Sequence, residues 1–429
     1  MRSLILICFV TFFLFSCKQH NQPVVSTAFA DSVIVQYKNS PFLKQIDTEI
    51  NFWKSRMDSM PAGYLNEQQY AGNLAGRYQL NGAIKDLKKA YSLMLDMNAS
   101  SKSSEPNMLR TLARFSILQH QFREADGYVR KAIELGSEKY ASLLLQYDVA
   151  FELGDYSLAA NTLNEVRSTN EYGYFFRLAR QYHFLGEHDS SIVAMKKSLE
   201  LAGSNVKLQQ ITLSNIGDLQ LHAANVEGAC KAYQQSLRLD PSDIHSLMGI
   251  GWIALIHDKN TALAEKIFHF ADETNLAPDP LLKLSFTALQ MGDTLSAKKY
   301  AASFAKEATD TIYGNMYNKY LVDLYTGLLN DPAKAKAIAQ KELNARFTPQ
   351  TYSWLSYSLF KNNETDAAYK MYKKYVSGKS LEGLELYYMG KMMQGMSKSY
   401  NAKQYFKAAY KNRYDLSPDK ISDLEATLD

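Results

Sequence analysis

Residues 213–251 read LSNIGDLQLHAANVEGACKAYQQSLRLDPSDIHSLMGIG, and they hold one complete pattern and the start of its copy. Leu213-x-x-Ile216-Gly217 opens the pattern, Ala229-x-x-x-Tyr233-x-x-Ser236 continues it, and Pro241 closes it. The opening returns 34 residues later as Leu247-x-x-Ile250-Gly251, with Ile267 and Phe268 behind it, and 34 later again as Leu281-x-x-Leu284-Ser285 with Ala297. Toward the C-terminus, Tyr352-x-x-Leu355-Ser356, Ala368 and Tyr372 recur as Leu386-x-x-Met389-Gly390, Ala402 and Phe406. Upstream, Leu109-x-x-Leu112-Ala113 with Ala125 recurs as Leu143-x-x-Gln146-Tyr147 with Ala159. A period of this size marks stacked supersecondary units, because one such unit cannot bury its apolar face alone.

The residue types predict what each unit is. Taking Leu74, Leu112, Gln146, Leu178, Ile216, Ile250, Leu284, Val322, Leu355 and Met389 as anchors, the spacing runs from 32 to 38. Small residues follow several anchors (Ala75, Ala113, Ala179, Gly217, Gly251, Gly390), and Ala125, Ala159, Ala229, Ala297, Ala368 and Ala402 face them from a second helix. Two antiparallel helices can then approach closely. Eight residues after an anchor stand Gly82, Gly154, Gly186, Gly292, Asn330 or Asn363, types that accept the left-handed conformation ending a helix. Seventeen residues after each anchor the position is apolar or aromatic, as in Tyr91, Val129, Tyr233, Tyr372 and Phe406, a knob for the next unit. Asp331-Pro332 and Ser417-Pro418 each read as a capping side chain before a first-turn proline.

This pattern resembles the tetratricopeptide repeat over about residues 68–415. The resemblance implies an all-α protein: a right-handed superhelical solenoid of about ten helix-turn-helix repeats. The chain departs from the pattern at polar Gln146, in the scarcity of terminal prolines, and in long linkers around 98–106 and 304–312. The repeat solenoid is placed at 67–415. Phe42, Ile46, Ile50, Trp53 and Met57 recur at helical spacing and predict an N-terminal capping helix within 41–66. A short charged helix within 416–429 is expected to close the other end.

Residues 1–17, MRSLILICFVTFFLFSC, carry one early positive charge and an apolar run too short to span a bilayer, then a small residue and a cysteine. They read as a bacterial lipoprotein signal peptide over 1–16, with Cys17 as the lipid-attachment residue. A signal peptide without lipidation is the alternative. Residues 17–40, polar and small, are expected to be a flexible tether between lipid and domain.

The 429 residues carry a net charge of +4 with no basic block, so a nucleic-acid surface is not expected. With Cys8 in the signal and Cys17 lipidated, Cys230 stands alone and no internal disulfide can form. No catalytic, cofactor or metal motif emerges, and no enzyme is expected. Gly249-Ile250-Gly251 follows no strand, and Ser303-x-x-Lys306 lacks the partner motifs of a serine–lysine enzyme. His183 and His188 flank Gly186 but want a third ligand.

In tetratricopeptide arrays the concave groove is lined by first-helix residues a turn either side of the anchor. The resemblance assigns that role here to Arg110, Arg114, Asp148, Phe176, Arg180, His183, Asp218, His222, Met248 and Trp252, then Phe286, Tyr357, Phe360, Tyr387 and Lys391. Such a mixture suits a protein or extended peptide partner, held by aromatic and arginine anchors. Eleven tyrosines between Tyr352 and Tyr414 exceed what stacking needs and are expected in part at the surface. The chain as a whole resembles tetratricopeptide lipoproteins of Gram-negative bacteria of the Bacteroidetes type. That implies a scaffold anchored in the cell envelope, with the outer membrane preferred over the inner. The alternative is a carbohydrate-capture lipoprotein serving a nutrient transporter, for which a glycan would be the partner.

Overall fold

The computed structural model describes residues 23–59, 64–168 and 170–429, and their regular structure is entirely helical. The expected signal peptide and Cys17 lie outside the described residues. Helices α1 (Thr27–Tyr37) and α2 (Pro41–Ser59) come first. Ten antiparallel hairpins follow: α3/α4 (Tyr64–Asn81, Ile84–Ser100), α5/α6 (Pro106–Leu118, Phe122–Glu134), α7/α8 (Lys139–Leu153, Tyr156–Glu165), α9/α10 (Tyr172–Phe184, His188–Leu201) and α11/α12 (Val206–His222, Val226–Leu239). Then come α13/α14 (Ile244–Ile256, Thr261–Thr274), α15/α16 (Asp279–Gln290, Thr294–Ala308), α17/α18 (Asn318–Thr326, Pro332–Ala345), α19/α20 (Pro349–Lys361, Thr365–Tyr375) and α21/α22 (Gly383–Gly395, Ser399–Lys411). A single 3₁₀ turn, Arg413–Asp415, leads to α23 (Pro418–Leu428). None of the described helices is long and apolar enough to cross a membrane.

The predicted hairpin chemistry is present. All the anchors are buried except Gln146 and Leu178, which are half-buried. The facing alanines Ala125, Ala229, Ala297 and Ala368 are fully buried. Gly82, Gly154, Gly186, Gly292, Asn330 and Asn363 all adopt positive φ at the turn between the two helices of a hairpin. Asp331 caps α18 by accepting from the Lys334 amide at 3.1 Å. Ser417 differs: its hydroxyl turns to Asp419 and Lys420 instead of capping α23. The long linkers also contract. Buried Met97 and Asn98 keep α4 helical to Ser100, and buried Phe304, Ala305 and Ala308 carry α16 through Ala308.

The superhelix is tight enough for successive coils to touch. The turn inside one hairpin meets the junction that follows the hairpin five places on. At the first hairpin, the Leu276 amide donates to Asn81 O at 2.7 Å. At the third, the Phe347 amide reaches Leu153 O at 3.4 Å. At the fourth, Ser380 Oγ donates to Phe184 O at 2.8 Å. At the fifth, His222 Nδ1 lies 2.7 Å from Asp415 Oδ1. The α1–α2 corner obeys the same register, with Ser40 Oγ donating to Asp240 Oδ1 at 2.9 Å.

Both ends differ from the sequence expectation. The described part of the expected tether is structured. The Val24 and Val25 amides donate to Asp258 at 3.0 and 2.9 Å, and α1 buries Ala30, Val33 and Tyr37, with Tyr37 edge-on to Phe270 at 5.2 Å. Three apolar residues one helical turn apart suffice to hold the segment on α14 despite its polar composition. α2 packs on α3, as a capping helix should. The C-terminal helix α23 packs on α15 as well as on α22, burying Ile421 and Leu424 on the concave side.

Candidate functional site

Because α23 and the Tyr414–Asp415 turn fill part of the concave face, the open groove expected from sequence is instead divided into partly open cavities. Trp252 is buried, and its indole N–H donates to Tyr414 O at 2.7 Å. Tyr387 is buried with its hydroxyl on Asp423 at 2.9 Å, and Lys391 pairs with the same carboxylate at 3.1 Å. Tyr357 is buried and stacked on Tyr388, ring centroids 4.3 Å apart. Tyr357 and Tyr387 are therefore packing groups, while Trp252 keeps a ring face on a cavity.

Other expected groove residues join neighbouring repeats. Arg110 is buried and ties two hairpins together, donating to Ser137 O at 2.9 Å, Ser142 Oγ at 3.2 Å, Asn107 and Glu138. Asp148 pairs with Arg177, which also donates to Leu144 O at 2.9 Å. Phe176 is half-buried beside Tyr172, and Arg114 is exposed outside the cavities. The C-terminal tyrosines form no exposed patch: every described one is buried or half-buried. Tyr352 stacks on Tyr375 at 4.1 Å, and the Tyr372 and Tyr405 hydroxyls meet at 3.0 Å.

Seven of the expected residues do line these cavities. Asp218, His222 and Trp252 face a cavity of about 400 Å³, together with Met248 and Phe286. Arg180 and His183 face an adjoining cavity of about 320 Å³. Lys319 and Glu382 border both cavities and join them.

Most charges on the walls of the larger cavity are paired, while Asp279 accepts from the Tyr317 hydroxyl at 2.6 Å. Both oxygens of Asp218 lie 3.0 Å from His245 Nε2, and Asp218 Oδ1 accepts from Tyr233 at 2.6 Å. Asp218 chiefly, against the effect of burial, raises His245 to about 9. At His222 burial disfavours the charge most, but Asp415 outweighs it and the imidazole is raised to about 9. Burial, and then His222 with its ring centroid 4.7 Å away, pushes His183 down to about 4. Lys319 holds Glu382 at 3.0 Å and draws it down to about 2. Lys283 has no ion pair among the described residues. Its ammonium sits 3.6 Å from the Trp252 ring centroid, and burial lowers it to about 8.

His188 and His222 both approach His183, supplying the third histidine that the sequence lacked. Among the described residues, however, no three His, Cys, Asp or Glu side chains stand in metal-binding geometry. Cys230 is buried, with its thiol pushed up to about 11 by burial, as suits a packing residue.

Sequence reasoning missed His245, Asp279, Lys283, Lys319, Glu382 and Asp415. His245 and Asp279 each stand five residues before their anchors, Ile250 and Leu284, a repeated register that carries the signal. Lys319, Glu382 and Asp415 reach the cavities through coil closure, which no local pattern encodes.

Residues 172–205, which are α9/α10 with their flanks, match the family model of the tetratricopeptide repeat. No curated protein matches the chain. Similar solved structures include yeast Tom70, at 13% identity over 93% of this chain and 94% of that one, with a TM-score of 0.36. A tetratricopeptide repeat protein from Parabacteroides merdae is 14% identical over 60% of this chain and 98% of its own, TM-score 0.34. Human IFIT1, as a dimer with m7Gppp-AAAA, is 13% identical over 77% and 76%, TM-score 0.48.

Proposed function

We propose that this chain is a protein-interaction scaffold of tetratricopeptide-type hairpins whose partner inserts a short segment into the larger cavity. The observation that carries the reading is Lys283: a cation without an ion pair on the cavity wall, its ammonium over the Trp252 ring. A carboxylate on an inserted peptide would complete it, and Met248, Phe286 and Tyr320 offer apolar contact around it. Length favours a short segment, since α23 and Tyr414 occupy the concave face beyond.

The test has two stages. A photo-crosslinking residue placed at Met248 in the cell-envelope fraction should capture a discrete partner. Binding of that purified partner should then weaken about tenfold or more in Lys283→Met, the loss of one charge-assisted contact. Equal binding by the variant and the parent would remove the cavity from the interaction. Glycan capture without any protein partner would favour the carbohydrate reading.

Membrane anchoring through Cys17, in the outer membrane by preference, belongs to the same proposal and is supported by residues 1–17 alone. Cys17→Ser is expected to move the protein from the membrane pellet to the soluble fraction. Continued sedimentation of the variant with membranes would reject lipidation at that residue.

A further inference from the structure

The 320 Å³ cavity lies where two coils meet, between the α7–α8 turn, α9, the α18–α19 junction and α21. Phe151, Tyr156, Phe184 and Trp354 give it aromatic walls. Tyr156 and Phe184 stack at 4.2 Å, and Phe151 meets Phe184 edge-on at 5.2 Å.

Its charges do not balance. Arg180 and Arg346 share Glu152, the latter at 2.8 Å, and Arg346 also holds Glu342 at 2.6 Å. Lys319 holds Glu382 at 3.0 Å. Counting Glu342, which lies outside the cavity, three cations therefore serve four carboxylates, and Glu385 is the one left over. It is fully buried; its Oε1 accepts from the Trp354 indole at 2.7 Å and stands 3.9 Å from Lys319. Its Oε2 has no partner, and neither has Gln350 Oε1 on the same wall. Buried acceptors left unmet in this way are costly. The neighbouring histidines supply no cation: burial pushes both His120 and His183 down, so they are neutral at pH 7.

We propose that this cavity binds a primary alkylammonium group, its NH₃⁺ on Glu385 Oε2 and Gln350 Oε1 and its methylene stem against the aromatic walls. An ammonium has three donors and one positive charge, the inventory the site lacks. The group could belong to a lysine of an inserted partner segment or to a free amine. In the first form the inference rests on the scaffold reading above; in the second it stands without it. Burial also raises Glu385, the direction expected of a carboxylate short of a counter-charge.

Calorimetric titration of the whole protein tests this with n-pentylamine, n-pentanol and the blocked peptide acetyl-Gly-Lys-Gly-amide. Pentylamine is expected to bind at least about tenfold tighter than pentanol, and Glu385→Gln to weaken it about tenfold or more. Should Glu385→Gln fail to fold, Gln350→Met takes its place. Pentylamine binding no better than pentanol, or undiminished in the folded variants, overturns the proposal. Binding of both amine and peptide assigns the ligand to a partner lysine. Binding of the amine alone assigns it to a free amine and leaves the scaffold reading to the cross-linking test.

Discussion

At Gly217 an added Cβ would stand 2.3 Å from Cε1 of Tyr233, and that ring cannot retreat. Tyr233 is buried, its hydroxyl holds Asp218 at 2.6 Å, and Gly249 closes on its other side. Gly217→Leu should therefore cost about 3 kcal/mol by overpacking, seen as a lower midpoint in urea. An unchanged midpoint would refute the assigned repeat frame. This much was legible in the sequence, because a small residue after an apolar anchor has one use in a close helix pair. Titration is a second matter of single residues. His222 is raised to about 9 in the fold, so the stability it contributes is full below about pH 6.5 and is lost as pH climbs toward 9. His183, lowered to about 4, acts oppositely: its share is present above about pH 6.5 and fades as pH falls toward 4. Unfolding free energy measured against pH should fall away on both sides of about 6.5, and Asp415→Asn should flatten the alkaline limb. His245 adds a weaker alkaline limb of its own, since 64% of its side chain stays in contact with water and its ion pair is screened. An alkaline limb unaltered in Asp415→Asn would exclude the His222 pair as its source.

Among the elements, the two terminal helices carry the most new information. Lys420 on α23 bonds Asp323 on α17 at 3.0 Å, and Tyr388 donates to the same carboxylate at 2.8 Å. Removing the cation leaves Asp323 nearly buried and short of a counter-charge. Lys420→Met should cost about 3 kcal/mol or more by chemical denaturation. A loss under about 1 kcal/mol would mean that α23 is docked by its apolar face alone. The sequence showed a short charged helix here and nothing about where it turns, because its partners lie on α15 and α17. At the other end the signal existed and was outvoted: Ala30, Val33 and Tyr37 mark one helix face, but the serine, threonine and proline around them read as tether. Tyr37→Ala should cost about 3 kcal/mol, whereas a true tether would tolerate it without change in midpoint.

For the whole molecule, the register of turn against junction matters more than any single hairpin. Gly82 and Gly154 adopt positive φ, and a Cβ there would stand 2.2 Å from Asn275 Oδ1 and 2.7 Å from Phe347 O. The pair Gly82→Val and Gly154→Val should pry the coils apart. Small-angle scattering should then show a larger radius of gyration with helicity retained, and an unchanged radius would disprove the role of the two contacts. Sequence reading found these glycines as helix ends and could not find their second use, since pitch is set by the sum of many small rotations. The cavities were hidden for the same reason: Trp252 and Arg180 are visible in the repeat frame, but Glu382 and Asp415 become their neighbours only after the coil closes. The contacts between coils also set a rule for how such a chain can change over generations. An open array of repeats gains or loses a unit at little cost, because each touches only its neighbours. Here the deletion of one internal hairpin would part every turn from its junction where the lost unit lies between them: without α9/α10, Leu276 would leave Asn81 and Phe347 would leave Leu153 together. A change in the number of internal units must therefore rebuild the contacts that span it.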